Sequence, residues 1–240
     1  FLMASLVLVV GASCTGKSTL ASKLAASLNN DPDATALEAD SFYKFEAYET
    51  DDACPLLRVA LPEEKERVWK NWESPESMDW EGLWSKVEEL RIAAGAGKYV
   101  VVEGFLLLHD ERIGAAAESV VFMQLNEEEC WNRRLSRAKA MADRAVGTGS
   151  GGESNYEVLE TYTRAADRAE IAAAADASLG AKHGEYAWLR LYFDEAIAPS
   201  ARDDLRAVAS LGGKTLVLDG ETEVATLVSR AAAFCTTAHR

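Results

Sequence analysis

Short runs of consecutive apolar residues alternate along this chain with stretches whose apolar positions fall three and four apart. Leu6-Val7-Leu8-Val9-Val10 is the first run. Ala34 to Ala39, Tyr99-Val100-Val101-Val102-Glu103, Ser119 to Leu125 and Thr215-Leu216-Val217-Leu218-Asp219 follow. Each has the length of a strand and is apolar on both faces. Between them, Leu20, Leu24 and Leu28 recur four apart. Met78, Trp80, Leu83, Trp84, Val87 and Leu90 share one helical face, and Val224, Leu227, Val228, Ala231 and Phe234 share another. Buried strands separated by helices predict an α/β fold, with five parallel strands covered on both sides. Asn126, three residues before Glu129, predicts a helix N-cap after the fourth strand.

The first strand runs into Gly11-Ala12-Ser13-Cys14-Thr15-Gly16-Lys17-Ser18-Thr19. This segment satisfies G-x-x-x-x-G-K-[ST] at every fixed position, between a strand and a helix. The spacing predicts a loop whose backbone N–H groups point at phosphate oxygens. The following helix N-terminus adds free donors and the positive end of its dipole. Lys17 is expected on the β- and γ-phosphates and the Ser18 hydroxyl on Mg²⁺. The reading therefore includes ATP and Mg²⁺.

Composition narrows the partners. The chain of 240 residues is 48% hydrophobic, enough for one sizeable core, and carries a formal net charge of −14. That balance argues against a nucleic-acid backbone as ligand, which needs a basic face. A mononucleotide needs only a few local cations. Cys14, Cys54, Cys130 and Cys235 are widely spaced and form neither a disulfide framework nor a zinc pattern. A reduced, cytoplasmic setting fits them. The first apolar run is too short for a membrane span, and no basic leader precedes it, so no membrane association is expected.

Several side chains offer chemistry beside the loop. Asp40 is expected at the carboxyl end of the second strand, in Asp40-Ser41-Phe42-Tyr43-Lys44, where open parallel sheets gather their ligands. There it could deprotonate an attacking hydroxyl or hold Mg²⁺; a plain N-cap role is the alternative. Glu103 ends the third strand at the same edge and suits the metal. Arg133 and Arg137 lie four apart on one helical face, with Arg134 turned about 100° away. They could stabilise a transferring phosphoryl group, or form a solvated face paired with Glu127 to Glu129. Trp72-Glu73 could stack a base and grip a ribose, although tryptophan serves cores equally well. Gly147-Thr148-Gly149-Ser150-Gly151-Gly152 reads as a flexible joint before an Ala-rich helical stretch at about 154–177.

Taken in order, these segments resemble the uridine kinase and nicotinamide riboside kinase family. The resemblance rests on Gly11 to Thr19, Asp40 to Lys44, Trp72-Glu73-Ser74-Pro75-Glu76, Val101-Val102-Glu103-Gly104-Phe105-Leu106-Leu107 and the arginine helix from Cys130 to Arg137. Tyr192-Phe193-Asp194 with Pro199 adds to it. Glu-Gly-Phe-Leu-Leu looks most like nicotinamide riboside kinases, whereas Asp-Ser-Phe-Tyr looks equally like uridine kinases. The similarity covers roughly residues 5–140 and 190–200.

This resemblance implies a three-layer P-loop NTPase fold of the nucleoside-monophosphate-kinase-like kind with a helical lid. It implies a single kinase domain over 3–240, with a substrate-binding insert at about 42–95 and a lid plus arm at about 130–180. The implied reaction is ATP-dependent phosphorylation of the 5′-hydroxyl of a small nucleoside-like acceptor. Nicotinamide riboside leads; uridine, cytidine or another small hydroxyl compound, such as glycerate, is the alternative. By motif match Asp40 is the general base, Glu103 helps hold Mg²⁺ and substrate, Trp72 stacks the base and Glu73 grips the ribose. Tyr43 and Lys44 belong to the same acceptor site. Arg134 matches the substrate-side arginine, with Arg133 and Arg137 on the ATP phosphates. Three features depart from the family: Glu73 stands where Asp is usual, Lys139 where a second clamp aromatic is expected, and the segment at about 141–180 has no counterpart. A non-catalytic nucleotide switch is the rival of another class. The chain carries neither N-K-x-D nor a D-x-x-G after a strand, both expected of a guanine switch. Oligomeric state is left open.

Overall fold

A computed structural model describes residues 3–44, 55–61, 65–148 and 187–237. Five strands form one parallel sheet: β1 (Ser5–Gly11), β2 (Leu37–Glu38), β5 (Tyr99–Gly104), β6 (Ser119–Gln124) and β7 (Thr215–Asp219). Their spatial order is β2-β5-β1-β6-β7. The chain fills one side of β1 first and then crosses to the other through β6. That reversal opens a crevice at the carboxyl ends of the strands.

Consecutive residues of β1 feed opposite faces. Leu6, Leu8 and Val10 join one core with Val100, Val102, Val120 and Phe122, whereas Val7 and Val9 join the other with Val101, Val121 and Met123. Period-two alternation with both sets apolar is why these strands read as unbroken hydrophobic runs. Helices α1 (Lys17–Asn29) and α7 (Val224–Thr237) cover the second face through Leu20, Leu24, Leu227 and Ala231. The first face is covered by α2 (Trp80–Ala94), α3 (Glu111–Ala116) and α4 (Glu127–Thr148). It is completed by α5 (Ala187–Tyr192), a π turn (Phe193–Ile197) and α6 (Ala198–Ser210). The sandwich of helices, sheet and helices is the three-layer α/β architecture that the pattern predicts.

The amino-terminal edge of the sheet is pinned by a charge pair between a buried arginine and a half-buried glutamate. Arg91 donates from Nε to the Ala4 carbonyl and pairs with Glu118 at 2.9 Å. Glu118 also accepts from the Leu6 N–H. Such a pair fixes register at the edge away from the crevice and leaves the carboxyl edge to chemistry.

Several expectations need correction. The second strand is Leu37–Glu38, not 34–39, and Asp40 lies in a 3₁₀ turn (Ala39–Phe42) just beyond it. No side chain caps that turn, so Asp40 is not an N-cap there. Met78 precedes α2, whose cap is Asp79 accepting from the Gly82 N–H. Helix α4 continues through Gly147 and Thr148, where a joint is expected. Intrahelical hydrogen bonds tolerate a glycine at a modest propensity cost. The rest of that joint and the Ala-rich stretch lie outside the described residues.

Two features were not read from the sequence. An antiparallel pair, β3 (Leu56–Leu61) and β4 (Lys65–Lys70), occupies the expected insert. The helices at 187–210 have an apolar face interrupted by charge, and their spacing went unrecognised.

Candidate active site

Sterics shape the phosphate loop before any ligand does. A Cβ on Gly11 would lie 2.5 Å from the Met123 carbonyl oxygen, so only glycine lets β1 turn beside β6. Gly16 sits at φ +92°, a left-handed conformation open to glycine. Thr15 folds its hydroxyl back onto the Ala12 carbonyl at 2.9 Å. Cys14, at φ +70°, shares the tight curl. Helix α1 begins at Lys17, so the N–H groups of its first turn have no intrahelical acceptor. Curl and helix terminus together make an anion cradle whose donors are fixed in advance.

The expected acids converge on this cradle. In the sheet register Val9 is opposite Glu103, and Glu38 is opposite Glu103 on the other side. Gly104 then lets the end of β5 pass close to Ala39; a Cβ there would meet that of Ala39 at 2.7 Å. This approach seats Asp40 beside Glu103. Glu103 is 4% exposed, and burial raises its carboxyl above the usual range. The Lys17 ammonium and a hydrogen bond from the Ser18 hydroxyl oppose that rise, whereas Asp40 adds to it. Lys17, Ser18, Asp40 and Glu103 therefore lie within electrostatic reach of one another.

Glu73 enters from the connection between β4 and α2. Burial pushes its carboxyl up to about 7, opposed by Arg134 and Lys17 and reinforced by Asp40. Arg134 is buried and donates to the Ser13 hydroxyl at 3.2 Å. It thus stands at the phosphate loop, within electrostatic reach of Glu73. Arg133 is held elsewhere. Its guanidinium donates to Glu129 at 2.8 Å and to the Gly220 carbonyl at 3.3 Å. Gly220 packs against the Thr15 carbonyl, so Arg133 lies beside the loop. The pairing with Glu129 is the solvated-face alternative, realised at Arg133. Arg137 is exposed on the next turn of α4. Asn126 caps α4 by accepting from the Glu129 N–H at 2.8 Å, while its amide turns to Glu221.

The aromatic side of the crevice is packed. Trp72 is 6% exposed and meets Tyr43 edge-to-face, with ring centroids 6.3 Å apart. Its backbone N–H donates to the Tyr192 hydroxyl at 3.1 Å. Burial raises both tyrosine hydroxyls well above their ordinary range, with Glu73 the next contributor for each. Lys44 is exposed and donates to the Glu76 carbonyl.

One acid of the crevice was missed. Asp204 on α6 is 1% exposed, and burial raises its carboxyl to about 8, with Lys17 lowering it and Glu73 raising it. A signal for it existed. Ile197, Ala201, Asp204 and Val208 recur at helical spacing, and an acid on such an apolar stripe marks a buried charge.

The residues present fit a triphosphate and its metal. The cradle is preformed by Gly11 and Gly16, and Lys17 supplies the cation. Mg²⁺ takes hard oxygen ligands and keeps several waters, so one or two protein oxygens suffice. The Ser18 hydroxyl and the Glu103 carboxyl, hydrogen-bonded to each other, are such a pair. Among the described residues no helix is long and apolar enough to cross a membrane.

Fold and loop together define an α/β protein with a P-loop at the switch point of a five-stranded parallel sheet. No protein-family model matches the chain. It is similar to the uridine kinase of Schizosaccharomyces pombe, 24% identical over 243 residues, covering 90% of this chain and 45% of that protein. It is also similar to the uridine kinases of Mycoplasma pneumoniae, at 26% over 153 residues, and Haemophilus influenzae, at 27% over 156 residues. Each alignment covers 55% of this chain, with 66% and 67% of the respective relatives. The chain thus spans about half the length of the first relative and about two thirds of the other two. Among solved structures, a sugar kinase from Janibacter superposes with TM-score 0.44 at 18% identity, covering 97% of this chain and 95% of its own. A gluconokinase from Sinorhizobium meliloti superposes with TM-score 0.40 at 16% identity, covering 98% and 92%.

Proposed function

We propose that this chain is an ATP-dependent kinase that phosphorylates a hydroxyl of a small nucleoside-like acceptor. The observation that carries the reading is the convergence of Lys17, Asp40 and Glu103 on one preformed anion cradle. A phosphate loop alone binds nucleotide; a carboxylate beside it, facing a second pocket, is what transfer adds. Similarity to proteins named uridine kinase supports the reading.

In this mechanism the loop amides and Lys17 hold the phosphates, and Arg134 bridges the loop to the acceptor side. Ser18 and Glu103 would hold Mg²⁺, which when bound neutralises charge on the phosphates. Asp40 accepts the proton of the acceptor hydroxyl as its oxygen attacks. Glu73 takes hydrogen bonds from the acceptor's sugar. Arg133 and Arg137, on the arginine helix, are proposed to reach the ATP phosphates on closure. Positioning and fixed charge supply the rate.

The acceptor is proposed to be a ribonucleoside phosphorylated at its 5′-hydroxyl. The Glu-Gly-Phe-Leu-Leu run favours nicotinamide riboside, whereas the named relatives favour uridine. The test is transfer from labelled ATP to a panel of nicotinamide riboside, uridine, cytidine and glycerate. Asp40→Asn should keep ATP binding and lose about 10²- to 10⁴-fold in transfer, the scale of general acid–base catalysis. Tight ATP binding with no transfer to any acceptor would instead identify a nucleotide-binding module.

A further inference from the structure

The turn that carries Trp72 and Glu73 is held from two directions. Within the insert, the Asn71 N–H donates to the Pro55 carbonyl at 2.7 Å, and the Ser74 N–H donates to the Asn71 main-chain carbonyl at 3.3 Å. The Glu73 N–H donates to the Asn71 side-chain oxygen at 3.2 Å, and the Ser77 hydroxyl to the Asn71 main-chain carbonyl at 2.8 Å. The Trp72 N–H is served from outside the insert. It donates to the Tyr192 hydroxyl at 3.1 Å, across 120 residues of sequence. Both side chains are buried, so the tyrosine oxygen does here what bulk water does for an exposed N–H. A phenylalanine would fill the same space, and a hydroxyl is costly to bury unless it bonds.

Tyr192 is in turn set by the arginine helix. It ends α5, which docks on α4 through Arg190. The Arg190 guanidinium donates to Glu128 at 3.1 Å and to Asp194 at 3.0 Å. It lies 5.2 Å from the centre of the Trp131 ring and 5.5 Å from that of Phe193, and these two ring centres are 5.9 Å apart. Trp131 is buried and precedes Arg134 by three residues on α4, close to one helical turn. Arg134 donates to Ser13 of the phosphate loop. Direct contacts therefore run from the phosphate loop through α4 and α5 to the Trp72–Glu73 turn. The π turn, Phe193–Ile197, follows Tyr192 at once, and such turns are rare and gather at functional sites.

We propose that Tyr192 is a positioning residue for the acceptor, acting through Trp72 and Glu73. Its hydroxyl sets the Trp72–Glu73 turn against the arginine helix and so fixes how far the acceptor contacts stand from the nucleotide. Arg190 acts one step further back, by seating the helix that carries Tyr192. The proposal rests on the kinase reading, which makes Trp72 and Glu73 the acceptor contacts, and deepens it by naming the group that aims them. Without the hydroxyl the Trp72 N–H is left buried and unbonded, and the turn must shift to satisfy it.

The test is Tyr192→Phe in the full chain, which keeps the ring and removes the oxygen. Binding is measured by isothermal titration with uridine and nicotinamide riboside as probes, and transfer by labelled ATP at varied acceptor and varied ATP. Affinity for the bound nucleoside should fall by about 5- to 100-fold, the range for a buried N–H that loses its partner. ATP affinity should stay within about twofold, which also shows the loop and the fold intact, and KM for the acceptor should move more than kcat. In a Glu73→Gln background the same change should cost clearly less, because the group that Tyr192 aims is already altered. A tyrosine that only packs costs the same in both backgrounds. Arg190→Lys keeps the charge and loses the planar stack, and should raise KM for the acceptor in the same direction.

Unchanged nucleoside affinity in Tyr192→Phe would overturn the proposal, as would an equal loss for ATP and nucleoside, or the same loss in both backgrounds. A wild type that binds no nucleoside would overturn it together with the kinase reading. Nucleoside binding that depends on the hydroxyl without any transfer would sink the kinase reading and leave the role of Tyr192 standing. Transfer that ignores the hydroxyl would do the reverse.

Discussion

Gly104→Ala tests the contact that brings the two acids together. The added Cβ would sit 2.7 Å from the Ala39 Cβ and 3.2 Å from Leu107 Cγ. Carbon atoms in good packing are about 3.5–4.0 Å apart. Ala39 must therefore retreat by about 1 Å, and it carries Asp40 with it, because the two are adjacent in one short 3₁₀ turn. Leu107 can yield at its flexible end, whereas Ala39 can yield only through its backbone. Overpacking of this kind costs about 1–3 kcal/mol. For a chain of this length that lowers Tm by roughly 2–4 °C per kcal/mol. A misplacement near 1 Å at a reacting group is expected to lower kcat/KM by about 10²-fold. The phosphate loop is untouched, so KM for ATP should stay within about twofold. Calorimetry together with steady-state transfer, run at varied acceptor and varied ATP, separates these effects. Wild-type kcat/KM in a variant that melts several degrees lower would refute the reasoning, for it would mean that the seat of Asp40 does not matter. A large rise in KM for ATP would place the damage at the loop.

Other expectations concern the crevice acids and aromatics. Glu73 and Asp204 have folded-state values raised to about 7 and about 8, above their unfolded values of 4.5 and 3.8. The folded state then holds more protons than the unfolded one between these limits, so their stabilisation is full at low pH and is lost as pH rises towards 8. Urea melts should show stability falling from about pH 5 to pH 8, with a shallower fall in Asp204→Asn; a steeper fall there would contradict the sign. Trp72→Ala removes a ring that is 6% exposed and should cost about 3–5 kcal/mol, since large-to-small changes in packed sites carry a cavity cost. If the ring also faces the acceptor, KM for the acceptor rises in a folded sample while KM for ATP holds; equal changes in both indicate packing alone. Arg134→Lys keeps charge but loses the planar fork that reaches Ser13, and should lower kcat more than it disturbs Tm.

The strands and the loop were legible because their signals are local. A parallel strand buried on both faces is an apolar run whatever surrounds it, so β1, β5, β6 and β7 sit within a residue or so of the runs that predict them. The phosphate loop was legible because Gly11 and Gly16 are required by backbone sterics written into consecutive residues. The edge strand β2 was over-extended because only two of its residues find a partner in β5, and pairing is not a local property. Helix α4 ran past its glycine because intrahelical bonds and packing override a weak propensity.

The sequence by itself determined the sheet, its cradle and the acids set at its carboxyl edge, since each follows from residues a few positions apart. Tertiary structure alone decided which arginine meets the loop. Arg133, Arg134 and Arg137 look alike in sequence, yet helix rotation buries Arg134 against Ser13 and gives Arg133 to Glu129 and Gly220. It likewise decided that Asp204, more than 160 residues from Asp40 by their numbers, shares a crevice with Lys17 and Glu73. Beside which other groups a charge is buried depends on packing between distant segments, and no local pattern of residues encodes that distance.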